Sequence, residues 1–236
     1  AWAISGDGHV IVGHAEHSPQ TNVVGQAFRW TPSGGMEGLG YLKPGGTYSQ
    51  ANGVSRDGTT IVGISRSQSP TAEAFVWKDG VMSGLPKIPG SVSNETDARA
   101  ASLDGQVVVG RSASPSGLSH AVRWVNGHVE DLVGGLFPGF NSIAYAVNDD
   151  GTVVGGTLQI GQGEAFIWTS ELGTTKASDF LALHGILVPT DYKLQYIYAI
   201  SGDGLTFAGE ARNLTTNIRE GFVATVPTPS TSLLML

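Results

Sequence analysis

The chain of 236 residues has no cysteine, few charged side chains and no long apolar segment. The lack of cysteine excludes a disulfide framework, a thiolate metal site and a cysteine nucleophile. Lysine and arginine together number only 13, the formal net charge is −7 and no basic cluster occurs, so we expect neither a nucleic-acid partner nor an anionic membrane surface. No apolar run approaches the roughly 20 residues that cross a bilayer, so the sequence predicts no transmembrane segment.

Common catalytic and cofactor-binding motifs are also missing from the sequence. It contains no HExxH, GxSxG or SxxK motif and no phosphate-binding GxxxxGK[ST] loop. We therefore predict no cofactor and no bound metal.

Glycine, in contrast, is abundant at 34 residues, and much of it belongs to one repeated segment. The five copies read SGDGHVIVG (5–13), SRDGTTIVG (55–63), SLDGQVVVG (102–110), NDDGTVVGG (148–156) and SGDGLTFAG (201–209). Each predicts a β-hairpin, because Gly after Asp takes the positive φ of a tight turn without steric cost. The Ser or Asn two residues before Asp can bond to the turn backbone, and the Val/Ile run suits a buried strand.

Two further blocks follow each hairpin at a regular offset. The first reads AFRW (27–30), AFVW (74–77), AVRW (121–124), AFIW (165–168) and, degenerate, GFVA (221–224). Trp30, Trp77 and Trp124 follow one another at intervals of 47 residues. The second block consists of a glycine at a turn, followed by apolar residues at a regular spacing. Four strands in a unit of this length are typical of a propeller blade.

The sequence therefore predicts an all-β, five-bladed β-propeller in one domain over residues 1–227, with a C-terminal tail at 228–236. The predicted repeats are 1–50, 51–97, 98–143, 144–196 and 197–227.

Packing within such a propeller follows from side-chain size. We expect Trp77 and its equivalents to fill the space between blades, because large aromatic rings bury the most area there. The last repeat ends after its third strand, so we expect closure by face-to-face blade packing, without a strand supplied by the other terminus. Ser178 is expected to cap a short helix that ends at Gly185.

The repeat resembles a known family. The pattern A-x-x-[VI]-[SN]-x-D-G-x-x-[VI]-V-G, then A-F-x-W, G-x-M-x-x-L and P-G-G-x-x-S-x-A, is similar to the HAF repeat of bacterial extracellular proteins. The resemblance covers residues 1 to about 227, and the final GFVATVP-TPSTSLLML resembles the region before an exosortase-type sorting signal, with Thr228 where Glu is usual. The resemblance implies export to the extracellular space or cell surface and a propeller-like fold. It implies no particular activity.

One position departs from the otherwise regular repeat, at the start of the first strand. It is occupied by Trp2, Asn52, Arg99, Tyr145 and Tyr198. Aromatic, amide and guanidinium groups together suit carbohydrate or peptide binding, so these five are the predicted binding residues. The alternative is that they simply plug the channel.

Other candidate constellations have simpler interpretations. The five turn aspartates do not cluster as calcium ligands do, so we interpret them as turn formers. His14 and Glu16 share a face of the predicted strand while His17 points away, so a metal site would need a third ligand from another blade. We therefore expect a solvated loop and strand end. The adjacent carboxylates of Asp149-Asp150 and Glu130-Asp131 point to opposite faces of a strand.

The sequence thus favours a secreted or cell-surface bacterial repeat protein. Its expected role is a non-enzymatic binding or structural module, whose partner is an extracellular carbohydrate or protein. The alternative function is a polysaccharide hydrolase, with carboxylates from different blades converging at the propeller axis.

Overall fold

The computed structural model describes residues 1–16, 25–67 and 71–228. Within these ranges the chain forms five antiparallel sheets, four with four strands and one with three, and a single short helix. The strands of each sheet are hydrogen-bonded in chain order, and the first strands of consecutive sheets contact one another around a common axis. The predicted all-β propeller is confirmed, and we call the sheets the first to fifth blades.

The first and second blades each contain four strands. They are β1 (Ala3–Ile4), β2 (Ile11–Ala15), β3 (Gln26–Thr31) and β4 (Gly35–Gly38), followed by β5 (Tyr48–Val54), β6 (Thr60–Arg66), β7 (Glu73–Lys78) and β8 (Val81–Gly84).

The remaining blades follow the same order along the chain. The third contains β9 (Thr96–Ala101), β10 (Val107–Ala113), β11 (Ser119–Val125) and β12 (His128–Asp131). The fourth contains β13 (Ser142–Val147), β14 (Val153–Leu158), β15 (Glu164–Thr169) and β16 (Gly173–Lys176), then α1 (Ala177–Leu183). The fifth contains β17 (Tyr192–Ile200), β18 (Thr206–Asn213) and β19 (Arg219–Thr225).

The Asp-Gly turn between the first two strands of a blade is built as its sequence predicts. In the third blade Gly105, with φ of 71°, donates its N–H to the carbonyl of Ser102 at 3.1 Å. The Asp104 carboxylate accepts hydrogen bonds from the Ser102 hydroxyl and the Gln106 N–H, both at 3.0 Å. The Ser102 hydroxyl in turn accepts the N–H of Val107 at 3.0 Å, which joins the turn to the second strand. The aspartates therefore serve as turn formers, as expected.

We expect these turns to make the stability of the fold depend on pH in the acid range. The hydroxyl of Ser5 and the N–H of His9 lower the pKa of Asp7 from 3.8 to about 2, because both hydrogen bonds favour the carboxylate. Net lowering of the pKa also occurs at Asp57, Asp104, Asp150 and Asp203. A carboxyl whose pKa falls on folding stabilises the fold above its unfolded pKa and loses that contribution as the pH falls. We expect the urea midpoint to fall as the pH drops from about 4 toward about 2.

The variant Asp104→Asn is a matched test of this acid sensitivity. Its amide oxygen can still accept from Ser102 and Gln106, but the side chain no longer titrates. The decrease of the urea midpoint below pH of about 4 should be smaller in the variant than in the parent. An equal decrease in both proteins would show that this turn does not contribute to acid unfolding.

Consecutive blades pack face to face through apolar clusters. Between the first and second blades, Ile61, Phe75 and Trp77 of the second blade pack against Val12 and Ala27 of the first. Phe75 is fully buried and Trp77 is 8% exposed. The predicted burial of Trp77 between blades is therefore confirmed.

A row of backbone hydrogen bonds joins the turns of consecutive blades around the axis. Gly6 donates to the carbonyl of Arg56 at 2.8 Å, Leu103 to that of Asp149 at 3.0 Å, and Asp149 to that of Gly202 at 3.1 Å. Within the described ranges no such bond joins the turn of the fifth blade to that of the first. The row is thus open between the last blade and the first.

Closure of the ring differs from our expectation. The strands of the fifth blade do not pack against described strands of the first blade in the way that other consecutive blades pack. The expected face-to-face closure is therefore wrong, because no fifth apolar cluster forms among the described residues. All three strands of the fifth blade come from one segment, so no described N-terminal strand is added to it. Residues 229–236, which the closure prediction also concerned, lie outside the described residues.

The short helix corrects one expectation. It begins at Ala177, so its N-cap is Lys176, which makes no side-chain capping bond, and Ser178 lies inside the helix. Gly185, with φ of 78°, follows the helix as expected. Phe180 and Leu181 are buried and cover the apolar contact between the fourth and fifth blades.

Candidate functional site

The inner strands of the second to fifth blades each contain a β-bulge. The extra residue of a bulge is left out of the ladder, and its side chain is redirected. The bulged residues are Asn52, Arg99, Tyr145, Gln195 and Tyr198. Four of the five predicted binding residues therefore occupy bulges.

Glycines on the second strands make the bulges possible. A Cβ on Gly110 would lie 1.9 Å from the carbonyl oxygen of Asp97, two residues before Arg99. A Cβ on Gly63 would lie 1.9 Å from the carbonyl oxygen of Gln50, and one on Gly209 would lie 1.8 Å from that of Tyr196. The glycine that ends the repeated segment is thus required by the close approach of the bulged strand.

Side chains at the bulges connect neighbouring blades. Asn52 donates from Nδ2 to the carbonyl of Ala98 at 2.8 Å and to Oδ1 of Asp97 at 3.2 Å. Its own Oδ1 accepts from Gln50 at 2.6 Å. The amide therefore bridges the second and third blades.

Asp97 is the centre of a network of charged groups. Its side chain is only 5% exposed, and Oδ2 lies 2.6 Å from Nη2 of Arg99 and 3.5 Å from Nε of Arg111. Arg111 also bonds Glu95 through Nη2 at 3.0 Å. Both arginine side chains remain about one third exposed, so they retain N–H groups for a ligand.

Three tyrosines continue the row toward the fifth blade. The Arg99 guanidinium carbon lies 5.9 Å from the ring centre of Tyr145, and Tyr145 meets the Tyr198 ring edge-on at 5.2 Å. Tyr196 stacks on Tyr198 at 5.3 Å with 6° between the ring planes. Tyr198 is 50% exposed and thus offers ring surface to solvent.

The hydroxyls of Tyr145 and Tyr198 stay protonated at neutral pH. Partial burial, together with the nearby Glu210 carboxylate, raises the pKa of Tyr198 to about 12. Burial also raises the pKa of Tyr145, against the opposing effect of Arg99. Both hydroxyls can therefore donate hydrogen bonds as neutral phenols.

Two cavities flank the arginines. One of about 540 Å³ lies between the second and third blades, and one of about 320 Å³ lies between the third and fourth. Arg99 and Arg111 line both, and Arg66 lines the larger one. We call the two cavities and the side chains that adjoin them the polar cleft. The lining residues in it are Gln50, Arg66, Glu95, Asp97, Arg99, Arg111 and Tyr145, and the adjoining ones are Asn52, Tyr196 and Tyr198.

Trp2, the fifth predicted residue, is not part of the polar cleft. Its N–H donates to the carbonyl of Val12 at 2.8 Å. Trp2 thus occupies, in the first blade, the place along the strand that the bulged residue occupies in the other blades. Its side chain is 67% exposed and makes no ring contact with a described residue. The structure therefore brings Asn52, Arg99, Tyr145 and Tyr198 together and leaves Trp2 apart.

Sequence reasoning missed a second constellation, at the turn end of the channel. Nη1 of Arg56 lies 2.7 Å from Oδ2 of Asp149, so the second and fourth blades are joined across the axis. A Cβ on Gly202 would lie 2.5 Å from this Nη1, and one on Gly6 would lie 2.4 Å from Arg56 Cγ. The signal was the variable second residue of S-x-D-G, where Arg and Asp stand among Gly and Leu.

The other candidate constellations stay apart. Among the described residues, no three acidic or histidine side chains are grouped closely enough to hold a metal ion. The His14 ring contacts Tyr48 at 5.1 Å, and His17 lies outside the described residues. Glu130 pairs with Arg123 at 2.6 Å, while Asp131 faces His120 at 2.8 Å, so the two carboxylates have separate partners. In the described parts of the chain, no helix has the length and apolar character of a membrane span.

Comparison with known proteins bears on the fold. No family model and no curated protein matches the chain. A TolB-type protein from Agrobacterium tumefaciens superimposes with a TM-score of 0.57 at 13% identity, over 95% of this chain and 73% of that one. TolB from Acinetobacter baumannii gives 0.53 at 14% identity, over 94% and 53%. One of two prolyl endopeptidases analysed together gives 0.62 at 12% identity, over 96% and 33%.

The chain has a β-propeller fold. It spans about half of the length of the Acinetobacter TolB and a third of that of the endopeptidase. At these identities the likeness shows the fold alone, because unrelated activities share such scaffolds. The function must therefore be argued from the polar cleft.

Proposed function

We propose that this chain is an extracellular or cell-surface bacterial module that binds a carbohydrate without converting it, at the polar cleft. The observation that carries the proposal is the convergence of side chains from four blades, Asn52, Arg99, Tyr145 and Tyr198, into one row of contacts. The resemblance of the repeats to the HAF family supports the location. Neutral phenols, amides and guanidinium groups beside aromatic rings are the groups that a saccharide needs for hydrogen bonding and ring contact.

The charge of the cleft favours a saccharide that carries a carboxylate. The described residues that line the larger cavity include three arginines and two acidic side chains, so this cavity has one excess positive charge in a chain of net charge −7. They are Arg66, Arg99, Arg111, Glu95 and Asp97. A guanidinium presents donors in a planar fork that matches a carboxylate. A uronic acid residue placed over Arg99 would meet the ring of Tyr145 first, and the sugar residue that follows it would reach the exposed ring of Tyr198.

The arrangement of Asp97 supports binding over hydrolysis. Its Oδ1 accepts from Asn52, and its Oδ2 faces both Arg99 and Arg111. A hydrolase needs a carboxyl oxygen free to reach the glycosidic oxygen or a water molecule. Hydrolysis of a saccharide and binding of a peptide are therefore alternatives that the experiment below distinguishes from saccharide binding.

Variants in the polar cleft should weaken saccharide binding on a glycan array that includes neutral and uronate-containing oligosaccharides. We expect the parent to retain uronate-containing glycans. Tyr198→Ala removes the exposed ring, and Arg99→Lys keeps the charge but loses the planar fork. Arg99→Lys should reduce retention about tenfold or more, since a charge-assisted hydrogen bond contributes about 1.5–3 kcal/mol. Tyr198→Ala should also reduce retention, because the sugar loses the ring surface on which it would pack.

The matched control is Arg56→Ala, which removes an arginine that pairs with Asp149 at the turns and lines neither cavity. Its retention should equal that of the parent. Absence of every glycan from the parent's array would refute carbohydrate binding and leave a peptide ligand or a structural role. Release of shortened oligosaccharides would instead establish the hydrolase alternative.

A further inference from the structure

The fifth blade differs from the other four in its outermost strand. Each of the other blades ends with a fourth strand, whereas the described part of the fifth ends with β19. Among the described residues, no strand pairs with the outer edge of β19, which we call the open edge. The edge of a strand presents a row of N–H and C=O groups with which another extended segment can pair.

The second blade shows what such an edge binds. β19 and β7 have the same register against the glycine that ends the repeated segment, so that Phe222 corresponds to Phe75 and Gly221 to Ala74. The carbonyl of Ala74 accepts the N–H of Leu85, the residue that follows the fourth strand, at 2.9 Å. The carbonyl of Gly221 therefore faces the open edge and can accept an equivalent bond.

The same bond recurs in two further blades. Leu39 donates to the carbonyl of Ala27 at 2.8 Å, and Leu132 donates to that of Ala121 at 3.0 Å. In an antiparallel ladder, every second residue directs both its N–H and its carbonyl to the same neighbouring strand. The residues of β19 whose backbone groups face the open edge are Gly221, Val223 and Thr225.

An apolar groove runs along the open edge. It has a volume of about 360 Å³, and five consecutive residues of β19, 220–224, line it together with Leu181 of α1 and the segment 186–189. In the second blade, the segment that leads into the blade likewise lies against the fourth strand, since a Cβ on Gly84 would lie 3.4 Å from Cδ2 of Leu42. The groove therefore lies where the other blades hold their fourth strand.

The groove favours a large side chain at one position of an added strand. In the second blade Met82 of the fourth strand lies opposite Trp77, and Leu85 follows three residues later. Ala224 holds the register position of Trp77 in the fifth blade, and it lines the groove. Because directly opposed side chains share a face, the small Ala224 leaves room for an aromatic side chain opposite it.

The chain that follows β19 is poorly suited to supply this strand through the turn that the other blades use. In each of those blades, the turn between the third and fourth strands contains a glycine with positive φ. These glycines are Gly35, Gly80, Gly127 and Gly173. Residues 226–236 contain no glycine and no asparagine, the residues that adopt positive φ at least cost. Turn chemistry thus favours a strand from another molecule.

We propose that the groove binds an extended peptide of another protein, which adds to β19 as an antiparallel fourth strand. The peptide carries an aromatic residue opposite Ala224 and, three residues later, a leucine whose N–H bonds to the carbonyl of Gly221. Backbone pairing supplies the affinity, and the two apolar side chains supply the specificity. The proposal is independent of carbohydrate binding at the polar cleft.

The test is binding of a fluorescein-labelled peptide that copies residues 79–86, DGVMSGLP, with the change Met82→Trp. Fluorescence polarisation with the full chain should show saturable binding. Hydrogen exchange at the amides of Gly221 and Val223 should slow when the peptide is added, because both N–H groups become paired. Peptides with Met82→Lys or Leu85→Lys should bind at least about tenfold more weakly, because each loses a buried apolar side chain.

Two variants of the chain test the groove itself. Val223→Pro removes an N–H that faces the open edge and leaves the bonds to β18, and it should weaken binding about tenfold or more. Its control, Val223→Ala, keeps the N–H at a side chain that is 72% exposed, and it should bind nearly as the parent does. Leu187→Lys places a charge in the groove at a residue that is 82% exposed, so it should weaken binding without affecting folding.

Three results would overturn the proposal. The first is no saturable binding of the peptide, or equal binding by the parent, Val223→Pro and Leu187→Lys. The second is binding that appears only when the full chain carries Leu233→Lys and Leu234→Lys, because the tail of the chain itself would then be the occupant. The third is a stable dimer in light scattering that Val223→Pro dissociates, because a second copy would then hold the open edge.

Discussion

Trp77→Ala should lower the free energy of unfolding by about 3–5 kcal/mol, the largest stability loss we expect from a single side-chain truncation. Trp77 is 8% exposed and packs with Phe75 and Ile61 against the first blade. Truncation removes the buried indole and leaves a cavity, which the sheets on either side cannot fill by collapsing. The guanidinium of Arg29, 5.9 Å from the ring centre, also loses its aromatic neighbour. The urea or guanidinium midpoint measures the effect.

The control for this prediction is Trp2→Ala. It deletes the same side chain at a position that is 67% exposed. Its midpoint should stay close to that of the parent, because little burial is lost. Equal midpoints for Trp77→Ala and Trp2→Ala would contradict interblade packing as the main source of stability.

Gly110→Ala should destabilise the fold and displace the polar cleft at the same time. The added Cβ would lie 1.9 Å from the carbonyl oxygen of Asp97 and 3.0 Å from Cα of Ala98, so the bulged strand must move. Overpacking of this kind costs about 1–3 kcal/mol, and a clash with backbone places the variant at the upper end. Because the moving strand carries Arg99, saccharide retention should fall together with the unfolding temperature.

Gly139→Ala is the control for the close approach at Gly110. Nothing lies within 4 Å of a Cβ at Gly139. The variant should unfold and bind like the parent. If Gly110→Ala behaved in the same way, the bulge would not depend on that glycine, and the explanation for the repeated Val-Gly step would fail.

The blades were predictable because their turns and strands are determined by local sequence, and the same local sequence recurs in every repeat. The Asp-Gly turn needs a positive φ, which Gly105 adopts, and Asp104 binds the turn backbone as its side-chain chemistry dictates. The spacing of Trp77 and Trp124 indicated four strands per blade, and both side chains are buried between blades. Local rules therefore sufficed for the blades.

Whether the ring closes depends on how well the outer faces of the first and last blades fit each other, and the repeat pattern does not reveal this. Trp30 and Met36 match the repeat as well as Trp77 does, so the sequence gives no sign that their blade lacks a neighbour. The exposure of Met36 and the lack of packing between described strands of the first and fifth blades become visible only in the structure. Compatibility between the first and last blades is a long-range property that no single repeat encodes.

The candidate site was predictable in part. Variation at one position of an otherwise regular motif identified four residues, and all four occupy bulges. They are Asn52, Arg99, Tyr145 and Tyr198. The same reasoning chose Trp2, whose exposed side chain makes no ring contact with a described residue. Other members of the cleft escaped notice because they act across blades: Arg111 lies on a second strand and reaches Asp97, and Tyr196 stacks on Tyr198.

The central claim, that the polar cleft binds an acidic saccharide, is tested most directly by calorimetric titration of the parent with tri-galacturonic acid and with its neutral counterpart, galactotriose. We predict one saturable site for the acidic trisaccharide, binding at least about tenfold weaker for the neutral one, and a similar loss for the acidic one in Arg99→Lys. Equal affinity for both sugars, or an Arg99→Lys variant that binds the acidic sugar like the parent, would contradict the claim.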